Sequence, residues 1–128
     1  MVVVDSTVWV HFLRTPATAI GHELARLLEA GEAAVVGVVL AEVLQGARDR
    51  RQFADLLARL VAQPFLEESK ATWVKVAELA FQLRAQGQVS PLADVLIAAL
   101  AIEHDCTVYT LDQHFQRIPG VALHQAGG

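Results

Sequence analysis

A chain of 128 residues, 54% hydrophobic and 19% charged with 8 Gly and 4 Pro, is expected to form one globular domain, 1–128, and is too apolar for a disordered or collagen-like polypeptide. Its 10 basic residues against 14 acids, net −4, have the wrong sign to draw nucleic acid by bulk attraction, so a polyanionic substrate would need a local cation or basic patch. A single cysteine, Cys106, closes no intrachain disulfide, no apolar run approaches the ~20 residues that span a bilayer, and no signal segment is readable, so a cytoplasmic protein without membrane association is expected.

Residues 2–4, all valine, read as a short strand closed by Asp5, and 6–13 as a helix entered through Asp5 or Ser6 as N-cap. Ile20, Leu24, Leu27 and Leu28 predict an amphipathic helix from Ala19 that ends near Gly31. A second buried strand is expected over 33–36. Leu40, Val43, Leu44 and Ala47 then mark one helix, and Phe53, Leu56, Leu57, Leu60 and Val61 the next, with Pro64 as a stop. Phe65 and Leu66 are candidates for a short third strand. Trp73, Val76, Ala77, Ala80 and Phe81 step at helical spacing up to Gln86-Gly87-Gln88. Ser90 as N-cap and Pro91 at the first helical position predict a helix over 92–104, apolar nearly all round and therefore buried. Residues 107–111 read as a strand, Asp112 as the cap of a brief turn through Phe115, 121–123 as a last strand and 126–128 as a frayed tail. Strands separated by helical crossovers make an α/β domain with a central, mainly parallel sheet flanked by helices on both faces.

Ligands of parallel α/β sheets bind outside the carboxyl ends of the strands, so polar residues at strand-to-helix junctions carry most weight. Asp5 ends the first strand, Glu42 lies in the opening turns of the helix after the second, Asp94 in the first turn of the buried helix, and Asp112 follows the 107–111 strand. The i+3 and i+4 neighbours of Asp94 are Ile97 and Ala98, which offer no cation, so its charge needs a partner from elsewhere, a wet cleft or a proton. Each acid alone has a plainer role: helix-dipole placement for Asp94, capping for Asp5 and Asp112, a solvated position opposite the apolar stripe for Glu42. Gathered together they repel, and such a cluster calls for a compensating cation.

The stretches Val3-Val4-Asp5-Ser6-Thr7-Val8-Trp9, Ala41-Glu42-Val43-Leu44-Gln45-Gly46, Leu92-Ala93-Asp94-Val95-Leu96-Ile97-Ala98-Ala99 and Tyr109-Thr110-Leu111-Asp112-Gln113-His114-Phe115 follow one another across almost the whole chain. In this order they resemble the PIN-domain ribonucleases, and within them the VapC-like toxins of type II toxin–antitoxin pairs. The resemblance implies a PIN-like three-layer domain and a metal-dependent endoribonuclease that leaves a 5′-phosphate and a 3′-hydroxyl. It assigns Asp5, Glu42, Asp94 and Asp112 to the catalytic metal site, with Ser6 and Thr110 as supporting polar residues. Hard oxygen ligands suit Mg²⁺ or Mn²⁺, and Glu42 and Asp112 are the acids expected to orient the attacking water. The same resemblance implies an RNA substrate, a homodimer, and a VapB-like antitoxin whose C-terminal segment blocks the acidic cleft. His114 stands where many relatives carry another acid, so a fifth carboxylate ligand is not expected there.

The 14 acids less these four match the 10 basic residues in number, so the net acidity is largely the site itself. Arg48, Arg50 and Arg51, the only basic cluster, follow the Glu42 helix and are candidates to contact RNA phosphates; a solvated helix start is the simpler reading of them. His104 and Cys106 lack the second pair that a zinc site needs, and Cys106 reads better as a buried thiol. Trp9, Phe12, Trp73 and Phe81 read as core or interface residues rather than base-stacking platforms. Two other classes remain: a catalytically silent PIN-fold binding module, which the intact acids argue against, and a phospho-accepting, receiver-like regulatory domain. The latter wants an early pair of adjacent acids and a late lysine, whereas Asp5 stands alone and the only lysines are Lys70 and Lys75.

Overall fold

Four short strands, β1 (Val2–Val4), β2 (Ala33–Val36), β3 (Phe65–Leu66) and β4 (Thr107–Tyr109), form one parallel sheet ordered β3-β2-β1-β4 in a computed structural model that describes residues 1–126. Val2 lies opposite both Ala33 and Thr107, and Val4 opposite Tyr109. Helices α1 (Ser6–Arg14) and α2 (Ala19–Glu29) connect β1 to β2, and α3 (Gly37–Gln45) and α4 (Arg50–Val61) connect β2 to β3. Helices α5 (Lys70–Ala85) and α6 (Leu92–Glu103) then carry the chain from β3 to the opposite edge, where β4 pairs with β1. Every residue of β1 and β2 is buried. Because successive side chains of a strand point to opposite faces, both faces of the sheet are covered, as the α/β reading expects.

Helix α6 packs on β1 and β4 and against α5, and its run Val95 to Ala101 is buried throughout. Each large aliphatic side chain removed from water there, such as Ile97 or Leu100, stabilises the fold by about 1.5–3 kcal/mol. Trp9 and Phe12 join this core, whereas Trp73 and Phe81 on α5 remain 46% and 75% exposed. Near Tyr109 of β4, buried Glu23 on α2 accepts two 2.8 Å bonds from Arg26 and shares a 2.5 Å hydrogen bond with His124 Nε2. The Arg26 bonds, with His124 assisting and burial opposing, hold the Glu23 carboxyl down at about 2.

Several boundaries differ from the periodicity, each for a local reason. Strand β4 stops at Tyr109 because Thr110 and Leu111 turn aside to bond Asp5 and Thr7. The last expected strand is a single bridge between Leu123 and Val108, reinforced by His124 N–H donating to the Val108 carbonyl at 2.8 Å. Helix α3 starts at Gly37, with no residue between it and β2, and α6 is entered from Pro91 without a side-chain cap from Ser90. Cys106 is a buried free thiol. Of the expected frayed tail, Ala126 lies in a turn, and Gly127 and Gly128 lie outside the described residues. Among those residues no helix is long and apolar enough to cross a membrane.

Candidate functional site

The register sets the carboxyl ends of β1 and β4 side by side, and the Asp5 N–H donates to the Tyr109 carbonyl at 2.9 Å. From β1 the chain departs toward β2, while β4 occupies β1's other flank, so a crevice opens between them at the point where the strand order reverses. Asp5 fills its inner end, 3% exposed, as the N-cap residue of α1. Its Oδ1 accepts the Ser6 N–H at 2.8 Å, and its Oδ2 accepts the hydroxyls of Thr7 and Thr110, each at 2.8 Å. Among the described residues no basic side chain pairs with it. A buried carboxylate is thus fixed in orientation by neutral donors alone.

The two threonines extend the network to the β4 loop. Thr110 Oγ1 accepts the Asp112 N–H at 3.0 Å, and Thr7 Oγ1 accepts the Leu111 N–H at 3.1 Å. Asp112 caps the short 3-10 turn Gln113–Arg117, its Oδ1 accepting the His114 N–H at 2.9 Å with His114 Nδ1 3.3 Å away. Capping and site placement are therefore compatible uses of the same aspartate.

Asp94, in the first turn of α6, is half-buried, and its carboxyl is pushed up to about 6 by burial first, then by the charges of Asp5, Asp112 and Glu42. Glu42 is raised as well, by burial and by Asp5, with the Ser6 side chain working in the opposite direction. The fields of all four acids therefore overlap at one place. The expectation that Glu42 faces solvent opposite its helix's apolar stripe is corrected: it is half-buried and turned toward Asp5 and Ser6.

Among the described residues no three His, Cys, Asp or Glu side chains form a ready-made coordination shell. The donor chemistry nevertheless fits one kind of ion. Oxygen-only ligands with surplus negative charge and room for water match Mg²⁺ or Mn²⁺, which keep several waters and lean on few carboxylates. His104 and Cys106 make no zinc site, because among the described residues no third His, Cys, Asp or Glu side chain gathers with them.

Of the arginines singled out from sequence, Arg48 lines a cavity of about 460 Å³ together with Glu42, and Arg48 and Arg51 line an adjoining one of about 610 Å³. Arg50 instead stacks over the Phe53 ring, 5.1 Å from its centre. Two residues escaped the sequence reading. Thr7 is visible only as a hydroxyl two positions after Asp5, and Arg14 as the third member of the four-residue steps Ser6, Val10, Arg14 on one face of α1.

The chain is similar to known proteins along its whole length. A ribonuclease named VapC11 from Mycobacterium tuberculosis and a VapC ribonuclease, Mb1587, from Mycobacterium bovis are each 30% identical to it over 130 residues, covering 98% of this chain and 97% of theirs. Among solved structures, VapBC2 from Rickettsia felis bound to a promoter DNA fragment superposes with a TM-score of 0.81 at 23% identity, covering 97% of this chain and 98% of that one. DNA-bound VapBC from Salmonella typhimurium gives 0.82 at 17% identity, covering 96% of each chain. These two likenesses bear on the fold. The family model described as PIN domain matches residues 2–121, and with relatives this similar over their full length the chain belongs to the PIN domain family.

Proposed function

We propose that the chain works as one PIN domain, 1–128, and is an endoribonuclease toxin of the VapC kind that hydrolyses RNA phosphodiester bonds with Mg²⁺ or Mn²⁺ and is restrained by a VapB-like antitoxin. The observation that carries this reading is the shared, uncompensated field of Asp5, Glu42, Asp94 and Asp112, four acids from four junctions with no arginine or lysine paired to them among the described residues. The ribonuclease names of the full-length relatives support the reaction, and the VapBC assemblies among the structural neighbours support the partner. Family membership removes the receiver-like alternative, and the intact acids weigh against a silent binding module.

These four acids would hold the ion. When bound, it polarises the scissile phosphoryl group and lowers the pKa of the attacking water. Asp5, immobilised by the Ser6 N–H and two threonine hydroxyls, gives the site its fixed point. Asp94, raised to about 6 by burial and then by the neighbouring acids, would be the ligand whose ionised form gains most from a bound cation. Glu42 and Asp112 orient the water. Arg48 and Arg51 hold phosphates of the strand along their cavities, with Arg50 beside them at the start of α4. Cleavage leaves a 5′-phosphate and a 3′-hydroxyl and takes place in the cytoplasm. The exposed Trp73 and Phe81 of α5 supply apolar surface for a homodimer.

The test is incubation of antitoxin-free protein with total RNA, followed by mapping of the new ends. With Mg²⁺ or Mn²⁺, discrete 5′-phosphate ends are expected; with a chelator, or with Asp94→Asn, none. RNA left intact in the presence of both ions overturns the reading.

A further inference from the structure

Two cavities meet on the face of α1 that carries Ser6, Val10 and Arg14. One, of about 490 Å³, is bounded by Ser6 and Thr7 on the acid side and by Val10, His11, Thr15 and Leu111 beyond. The other, of about 460 Å³, contains Glu42 and Arg48. Val10 and Arg14 line both, so Arg14 stands at the junction. It is exposed, and among the described residues it forms no ion pair. An unspent guanidinium beside an acid cluster has its fork of donors free for an incoming anion.

The first cavity has walls of a different kind. Leu111 is 42% exposed, yet its loop is pinned by its own N–H on Thr7 Oγ1. The His11 ring is tethered through Nε2 to Thr18 Oγ1 at 3.2 Å. An aliphatic side chain on a pinned backbone and a tethered flat ring face a space next to a guanidinium. That combination complements a nucleobase and its phosphate, the parts of an unpaired nucleotide that proteins grip.

Resting on the ribonuclease reading, we propose that Arg14 binds a substrate phosphate adjoining the scissile one and that the cavity formed by Val10, His11 and Leu111 seats the base of that nucleotide, so that sequence preference is set there. Thr7 ties this seat to the chemistry, since the hydroxyl that receives the Leu111 N–H donates to Asp5. An RNA strand is favoured over a protein segment because the cavity joins a free guanidinium for a phosphate to an apolar and a ring wall for a base, next to the residues of the cutting site.

Binding is separated from cleavage by working in the Asp94→Asn background, reading fluorescence anisotropy of a short labelled oligoribonucleotide with Mg²⁺ present. Arg14→Gln should raise Kd roughly tenfold and flatten the dependence of log Kd on log salt by about 0.7. Arg84→Gln, which removes the same charge from a cavity on α5 sharing no residue with either of these, should leave Kd within about twofold. With Asp94 intact, Leu111→Asn should broaden the base preference at one position beside the cut in a randomised RNA pool. Equal binding by the Arg14 and Arg84 variants, or an unchanged base profile for Leu111→Asn, overturns the seat while cleavage by the wild type preserves the ribonuclease reading. Unchanged RNA affinity with a weakened antitoxin complex assigns the cavity to protein and also overturns it. If the wild type cuts no RNA and the Asp94→Asn chain binds none, both readings fall.

Discussion

Thr110 Oγ1 donates to Asp5 Oδ2 at 2.8 Å and accepts the Asp112 N–H at 3.0 Å, so one hydroxyl aims one acid with its proton and places another with its lone pair. Thr110→Val keeps the shape and removes both bonds. RNA cleavage should fall about 10- to 100-fold with a higher metal requirement, while stability changes by only about 1 kcal/mol. Thr110→Ser, which retains the hydroxyl, should recover most of the loss. Kinetics against metal concentration decide the matter: equal impairment of both variants would assign Thr110 to packing.

The raised carboxyl of Asp94 has a definite sign in stability. Its folded value of about 6 lies above the ordinary 3.8, so its contribution is fully present below about pH 4 and is lost as pH climbs through 6. The half-exposed position reduces that loss to about 1 kcal/mol once solvent screening is allowed for. Metal-free Asp94→Asn should therefore be inactive yet melt about 3–5 °C higher than the wild type at pH 7, and the difference should vanish near pH 4. Thermal melts across this pH range in chelator provide the check, and a variant less stable than the wild type at pH 7 contradicts it.

Glu23 has the opposite sign. Its carboxyl, held at about 2 against the usual 4.5, contributes stability above pH 4.5 that is lost as pH falls toward 2. Because the Arg26 side chain is 56% exposed, the contribution is about 1–2 kcal/mol. Glu23→Gln should lower stability at pH 7 by that amount and flatten the acid limb. It should also speed hydrogen exchange at the His124 amide bonded to Val108. An acid limb unchanged from the wild type would show that the pair adds nothing.

Gly21, in the first turn of α2, has no space for a side chain, since a Cβ there would overlap the Pro16 carbonyl oxygen. Gly21→Ala must push apart the corner between α1 and α2 and should cost about 1–3 kcal/mol by denaturant unfolding. Gly31→Ala is the contrasting case. A Cβ there meets nothing, and its cost comes from the positive φ of 68° instead.

The junction acids were legible wherever a short valine-rich strand ran into a polar residue, as at Asp5, or where an apolar helix carried one lone charge, as at Asp94. Glu42 was harder to place. The strand over 33–36 was legible, but the apolar stripe of the next helix puts Glu42 opposite the core and does not show that Asp5 and Ser6 of another element lie beside it. Thr7 ties Asp5, two positions before it, to Thr110 and Leu111, more than a hundred positions away, and that longer link is one no local period records. The ring spacing on α5 was genuine but did not reveal burial: Trp73 and Phe81 follow the helical step and still face outward.

Strand β1 is made first and sits between β2 and β4, so its last neighbour is synthesised after α6. A nascent chain halted before Thr107 leaves one edge of β1 bare, lacks the Thr110 hydroxyl on Asp5 and has not yet made Asp112. The acid cluster is therefore assembled only after β4 and the loop that follows it have been made, so an N-terminal fragment ending before Thr107 is expected to lack the activity of the full domain.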